Sequence, residues 1–157
     1  MEYLGNKEIL KNYKVGILCS RKVPADIILK TYDWAIEQRD KGVCIISGFH
    51  SKIEKDVFEI LTKGKQPMIL VLARCMKKRW DEKILKALND NRLLIVSPFN
   101  SNTKRIIKES SLIRNNYILS KSDKIFIPYI SPSGMISQIV KPFQHKIISL
   151  NNSQTHS

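Results

Sequence analysis

The sequence predicts an α/β protein built on a doubly wound, mostly parallel sheet of about five to six strands with helices on both faces. Short apolar runs rich in Val, Ile and Leu recur along the chain, and amphipathic stretches alternate with them. Strands buried on both faces read as unbroken apolar runs, whereas a strand with one wet face alternates. Length is the third observation. A chain of 157 residues is one ordinary domain, and at that size roughly 70% of the unfolded surface can be buried.

Residues 15–19 (VGILC) read as the first buried strand. Pro24 follows at a favourable first-turn position, and 25–41 reads as a helix. Its Ile28, Tyr32, Ala35 and Ile36 share one face, and Gly42 supplies the stop. Residues 43–46 form a second strand, and 53–63 a helix with Ile53, Val57, Ile60 and Leu61 on one side. The third strand is 67–73, followed by a helix over 81–89 with Ile84, Leu85 and Leu88 inward. The fourth strand is 92–96, broken by Ser97-Pro98, and a long helix spans 103–120. Residues 124–128 make the fifth strand, 134–140 a short helix, and 146–150 an edge strand. The layout is Rossmann-like over 1–150, and the polar stretch 151–157 (NNSQTHS) is expected to be disordered.

Charge is the unusual feature of the composition. Lys and Arg number 27 against 14 Asp and Glu, a net +13. Such a balance attracts polyanions, nucleic acid foremost, although solvated surface lysines give the same total. Where the cations sit must decide.

Cys19, Cys44 and Cys75 fit no zinc or redox spacing. Cys19 and Cys44 belong to apolar runs, while Cys75, after Arg74 at a strand end, is expected to be more exposed. No Asp, Glu or His grouping has metal-ligand spacing. The N-terminus has no apolar core of a secretory signal and no run is long enough to span a membrane, so a cytosolic protein is expected.

In parallel α/β sheets ligands bind at the carboxyl ends of strands, beside helix N-termini. The residues that follow each strand are therefore informative. They are Ser20-Arg21-Lys22, then Ser47-Gly48-Phe49-His50-Ser51-Lys52, then Arg74 with Lys77-Lys78-Arg79 behind it, then Ser97 to Ser101, then Ser131 to Gly134. Small hydroxyls and glycine let backbone N–H groups approach an anion, and arginine adds a planar fork suited to phosphate. Serine and glycine are also ordinary loop and capping residues. Neither a GxGxxG nor a GxxxxGK[ST] pattern is present.

These positions carry a resemblance. Gly5-Asn6 with Ile9-Leu10 is similar to the GN…LL lead-in of the DNA-processing protein A family (DprA, also called Smf), and residues 15–22 resemble its VGSR loop. Ser47-Gly48-Phe49 with Ile53-Glu54 resembles its SG…ID segment, Arg114-Asn115-Asn116 its RNR, and Ser133-Gly134 its SG turn. The match runs in order from about residue 3 to about residue 150. The resemblance implies single-stranded DNA binding without enzymatic activity, in a family whose members help load the recombinase RecA and commonly dimerise. It places phosphate-binding roles on Ser20, Arg21, Ser47, Gly48, Arg114 and Asn115 and implies no cofactor; the strand-end positions add Lys22, His50, Lys52, Ser133 and Gly134 as candidate contacts. Arg21 would clamp a backbone phosphate, and Gly48 would allow close backbone approach.

The chain departs from the family pattern at several points. Ser51-Lys52 stand where the family has Arg-Gly, Phe58 replaces its downstream His, Asn116 replaces its last Arg, and Gly16 and Cys19 shift the small residues of the first loop. The sequence reads as a shortened, stand-alone relative without a winged-helix module.

Two other functions belong to the same superfamily. A sensor would hold a nucleotide or nucleotide derivative in the same loops. A phosphoribohydrolase of the LOG type needs a PGGxGTxxE loop, and residues 132–138 (PSGMISQ) carry no carboxylate to act on a ribosyl bond. A catalytic His50 would need a partner carboxylate, which Glu54, four residues on, or Asp56 could supply; otherwise His50 is a loop residue that contacts ligand or water. Phe49, Phe99 and Tyr129 follow strands and either stack on bases or pack beneath the loops. Trp34 and Trp80 read as packing residues. Lys77-Lys78-Arg79 reads either as a track for nucleic acid or as a solvated helix start, and Lys104, Arg105 and Lys108 as the solvent face of the next helix.

Overall fold

The computed structural model describes residues 1–100 and 102–150, so the expected tail 151–157 lies outside the described residues. Seven strands form, β1 (Glu2–Gly5), β2 (Lys14–Ile17), β3 (Cys44–Ser47), β4 (Met68–Val71), β5 (Leu93–Ser97), β6 (Lys124–Phe126) and β7 (Ile147–Ile148). Five α-helices connect them, α1 (Ala25–Lys41), α2 (Lys52–Thr62), α3 (Glu82–Asn89), α4 (Lys108–Lys121) and α5 (Met135–Ile139). Short 3-10 turns lie at Lys7–Lys11 and Lys141–Lys146.

The strands lie in the order β1-β5-β4-β3-β2-β6-β7. All neighbours are parallel except β1, which runs antiparallel to β5 with Tyr3 opposite Val96. From β2 the chain steps one way to β5, then crosses back to lay β6 on the other side of β2. That reversal leaves a crevice between the carboxyl ends of β2 and β6, the place where doubly wound sheets take ligands.

Alternation along the strands builds two cores. Ile45, Met68 and Leu93 stand in register on one face, against Trp34 of α1, Val57 and Leu61 of α2 and Ala87 of α3. Ile46, Ile69 and Leu94 stand on the other, against Ile118 and Leu119 of α4 and Ile136 before the end of α5. Gly16 allows α4 its closeness, because a Cβ there would overlap the Ser122 hydroxyl and sit 3.1 Å from Ile118 Cγ2. That contact accounts for the glycine inside an otherwise branched strand.

Some details differ from the sequence expectation. β1 adds an edge strand that carries no alternating pattern, because all four of its residues are exposed. The long helix begins at Lys108, not at residue 103; the Ser110 hydroxyl accepts from Ile107 N at 2.9 Å and fixes the start there. Lys104 and Arg105 therefore lie in the connection before α4. Cys75 is buried, with its N–H donating to Thr103 O at 2.6 Å. Lys77-Lys78-Arg79 precede α3 by a few residues, since Asp81 caps it by accepting from Ile84 N at 3.0 Å.

Several cations serve the scaffold. Arg92 donates to Leu61 O, Thr62 O and Gln66 O at 2.8, 2.9 and 3.1 Å, closing the carboxyl end of α2. Lys14 is buried and donates to Leu10 O and Asn12 O, and Lys146 to Leu119 O at the end of α4. Part of the total charge thus serves the scaffold.

Candidate functional site

The loop after β2 and the loop after β6 are tied across the crevice. Ser20 N donates to Tyr129 O at 3.4 Å, and Ser131 N donates to Ser20 Oγ at 2.9 Å. Ser20 is buried and its hydroxyl holds the two loops together, while Arg21 and Lys22 beside it are exposed.

Glu54, in the first turn of α2, organises the neighbouring loop. Its carboxylate accepts from Cys19 N at 3.3 Å, from His50 N at 3.0 Å and from Ser51 N at 3.3 Å. Ser51 completes a capping box by accepting from Glu54 N. The carboxylate is buried, and burial pushes its pKa up against the downward pull of those N–H groups and of Arg114. Glu54 thus meets the backbone N–H of His50, not its imidazole, so the sequence pairing of His50 with Glu54 as a catalytic couple is not formed. Cys19 is held as a thiol, its pKa pushed up to about 12 by burial and by Glu54.

Between Ser47 and His50 the chain turns sharply. Phe49 adopts φ 43, in the left-handed region that a bulky residue rarely enters. Ser47 Oγ accepts from Phe49 N at 3.1 Å, and the Phe49 ring packs on Phe58 with centroids 5.0 Å apart. These contacts hold the turn. Ser47 is fully buried in this role, and Phe49 packs beneath the loop instead of standing free to stack.

Gly48 lies directly against Arg114 of α4. A Cβ there would stand 2.8 Å from Arg114 Cδ, 2.9 Å from Nε and 3.0 Å from Nη1. Arg114 is only 8% exposed, and its Nε donates to Asn115 Oδ1 at 3.1 Å. Its two Nη groups have no acceptor among the described residues, and no carboxylate forms a direct ion pair with it there. Burial lowers its pKa and Glu54 offsets part of that. A planar fork with open donors, held at the wall of a cleft, is suited to a phosphate.

Arg114 and His50 form a wall shared by two hollows. The first, of about 620 Å³, is the crevice itself, lined by Ser20, Arg21, Lys22, Lys108, Asn115 and Gly134 among others. The second, of about 830 Å³, opens over the ends of β3 and β4 between α2 and α3 and includes Gly48, Arg74 and Lys77. His50 reports the field between them. Its pKa is lowered by partial burial and then by Arg114, Lys55 and Arg21.

Of the residues that the sequence singles out, Ser20, Arg21, Lys22, His50, Arg114, Asn115 and Gly134 converge on the crevice, and Gly48 on the adjoining hollow. Three stand elsewhere. Ser47 is interior, Lys52 points to Asp56 with an ion pair of 3.0 Å, and Ser133 is exposed outside both hollows. The sequence missed Glu54 as the loop organiser, although its place three residues after Ser51 is the signature of a capping box. It also read Trp80 as simple packing, whereas Trp80 is half-buried and lines the second hollow.

A family model described as DNA recombination-mediator protein A matches residues 1–139. A comparison with curated proteins finds no match. Among solved structures, the chain resembles DNA processing protein A from Helicobacter pylori, described with a single-stranded DNA binding mode. The TM-score is 0.75 at 20% identity, over 94% of this chain and 69% of that one. DNA processing protein A from Streptococcus pneumoniae gives a TM-score of 0.66 at 16% identity, over 98% of this chain and 64% of that one. A molybdenum cofactor binding protein from the phototrophic bacterium Rippkaea orientalis gives 0.57 at 12% identity, over 91% and 81%. At such identities the likeness shows the shared fold.

Proposed function

The chain belongs to the DNA recombination-mediator protein A family, and from that premise we propose that its switch-point crevice binds single-stranded DNA through phosphate contacts. The observation that carries the reading is Arg114. It is buried beside Gly48, its Nη donors are open, and it stands at the wall common to both hollows. A phosphate seated there would meet Arg114 from α4, with Arg21 and Lys22 from the loop after β2. Asn115 and the turn at Gly134 complete the lining.

A binding role, not catalysis, goes with this chemistry. Glu54 is the carboxylate at the floor of the crevice, and three backbone donors occupy it. Handing the strand to a recombinase, dimerisation and a cytosolic location belong to the same proposal, by analogy with the family. No described helix is long and apolar enough to cross a membrane.

Binding of labelled oligothymidylate, followed by fluorescence anisotropy over a salt series, tests the reading. Affinity should fall steeply and log-linearly with salt, because neutralised phosphates release counterions. Absence of binding even at low salt would sink it. A second reading draws on the crevice volume of about 620 Å³, which suits a mononucleotide. On that reading, mononucleotides would raise the melting temperature with increasing concentration while oligonucleotides would not.

A further inference from the structure

The second hollow is more than an extension of the crevice. Its distinguishing side chain is Trp80, in the connection between β4 and α3. The two tryptophans of the chain differ in setting. Trp34 is buried and stacked on Phe126, with centroids 4.1 Å apart and planes 16° apart. Trp80 rests against the edge of the same core, stays half-buried and lines the hollow. Lys77 Nζ lies 5.6 Å from its ring centroid.

The charges of this hollow are sorted. Asp56 accepts from the Tyr32 hydroxyl and pairs with Lys52, Glu59 pairs with Lys83, and Asp81 is taken up by the α3 backbone. Glu82, exposed at the start of α3, is the one lining carboxylate without such a partner among the described residues. Against it stand Lys55, Arg74, Lys77 and Arg114, none paired to a carboxylate among the described residues. A half-buried indole beside cations that no described carboxylate pairs, one wall away from a phosphate fork, is how sequence-tolerant single-strand sites are built.

We propose that this hollow is a second nucleotide subsite for the same strand. One base stacks on Trp80, and the phosphates beside it meet Lys77, Arg74 and Arg114. The strand then passes over the Arg114–His50 wall from the crevice into the hollow. The inference rests on the reading of the crevice as a single-strand site, and it adds a direction to the bound chain and a stacking residue.

Two readouts on the same titration separate the claims. Anisotropy of a labelled oligothymidylate reports binding. Tryptophan emission, compared between wild type and Trp80→Phe, reports Trp80 above the constant contribution of Trp34. Binding should quench the Trp80 component. Trp80→Leu should weaken binding about fivefold or more, the loss expected when one stacked base is given up, and Trp80→Phe should restore most of it. An oligonucleotide with abasic sites throughout, tested on wild type alone, should keep salt-sensitive binding and lose the quench. Binding with no quench, and with Trp80→Leu equal to wild type, would overturn the subsite while leaving the crevice reading intact. No anisotropy change at any salt would remove both.

Discussion

Gly48 and Arg114 fit together so closely that a methyl group on the glycine would press into the arginine side chain, 2.8 Å from its Cδ and 2.9 Å from its Nε. The glycine makes room for the arginine, and the turn at Phe49 keeps it there. The family resemblance leads one to expect Gly48 to admit a ligand. In the structure it admits the side chain proposed to hold that ligand.

Gly48→Ala should therefore displace Arg114 without unfolding the protein. The expected result is single-strand affinity about tenfold weaker, ~1.4 kcal/mol, with the melting temperature unchanged or slightly lowered, because the displaced atoms belong to the flexible end of the arginine side chain. A variant that binds as well as wild type would separate Gly48 from the function of Arg114.

Arg21 is exposed and makes no hydrogen bond or ion pair among the described residues, so its removal tests binding with little effect on folding. Arg21→Ala should lower affinity and reduce the slope of log affinity against log salt by about 0.7, the contribution of one phosphate contact on a single strand. An unchanged slope would place Arg21 off the path of the strand.

His50 supplies a pH dependence. Arg114, Lys55 and Arg21 surround it, and burial and those cations hold its pKa below the ordinary value of 6.5, so it is neutral at neutral pH. Unfolding releases it to its ordinary pKa, so its contribution to stability, fully present above 6.5, is lost progressively as pH falls from there through the lower folded value. A phosphate in the crevice works in the opposite sense and raises its pKa. Binding should thus take up protons and tighten as pH falls from neutral toward the lowered pKa of the free protein. His50→Gln should flatten that part of the profile in a titration of affinity against pH.

Glu54 is predicted to matter to the fold before the ligand. Glu54→Gln keeps one acceptor oxygen but puts an amide NH2 where the other stood, facing either Cys19 N or the N–H groups of His50 and Ser51. Stability should drop by about 1–3 kcal/mol, the cost of leaving buried polar groups unmatched. Thermal or denaturant unfolding measures it, and an unperturbed midpoint would contradict the role.

The sheet was legible in the sequence because its parallel strands are buried on both faces, so VCII, MILV and LLIV read without ambiguity. β1 was not, because an exposed edge strand held by backbone hydrogen bonds needs no apolar pattern. The start of α4 was misplaced because Ile106 and Ile107 continue a helical pattern, yet both are exposed in the structure. Within the candidate site, Arg21 was legible as a cation after a strand and Arg114 only through the family resemblance; both line the crevice. The inward turn of Ser47 and the pairing of Lys52 with Asp56 were not, because a strand-end position fixes where a residue starts and not which way its side chain turns. Glu54 was hidden behind its residue type. A charged residue is expected at the surface, and only the geometry of three converging N–H groups makes its burial reasonable.

The most direct test of the central claim is a backbone amide shift map of the isotope-labelled protein titrated with a short oligothymidylate. The largest shifts are expected at residues 20–22, 48–51, 114–115, Ser131 and Gly134, decreasing as salt is added. Strong binding with shifts confined to other surfaces, or no shifts at low salt, would contradict it.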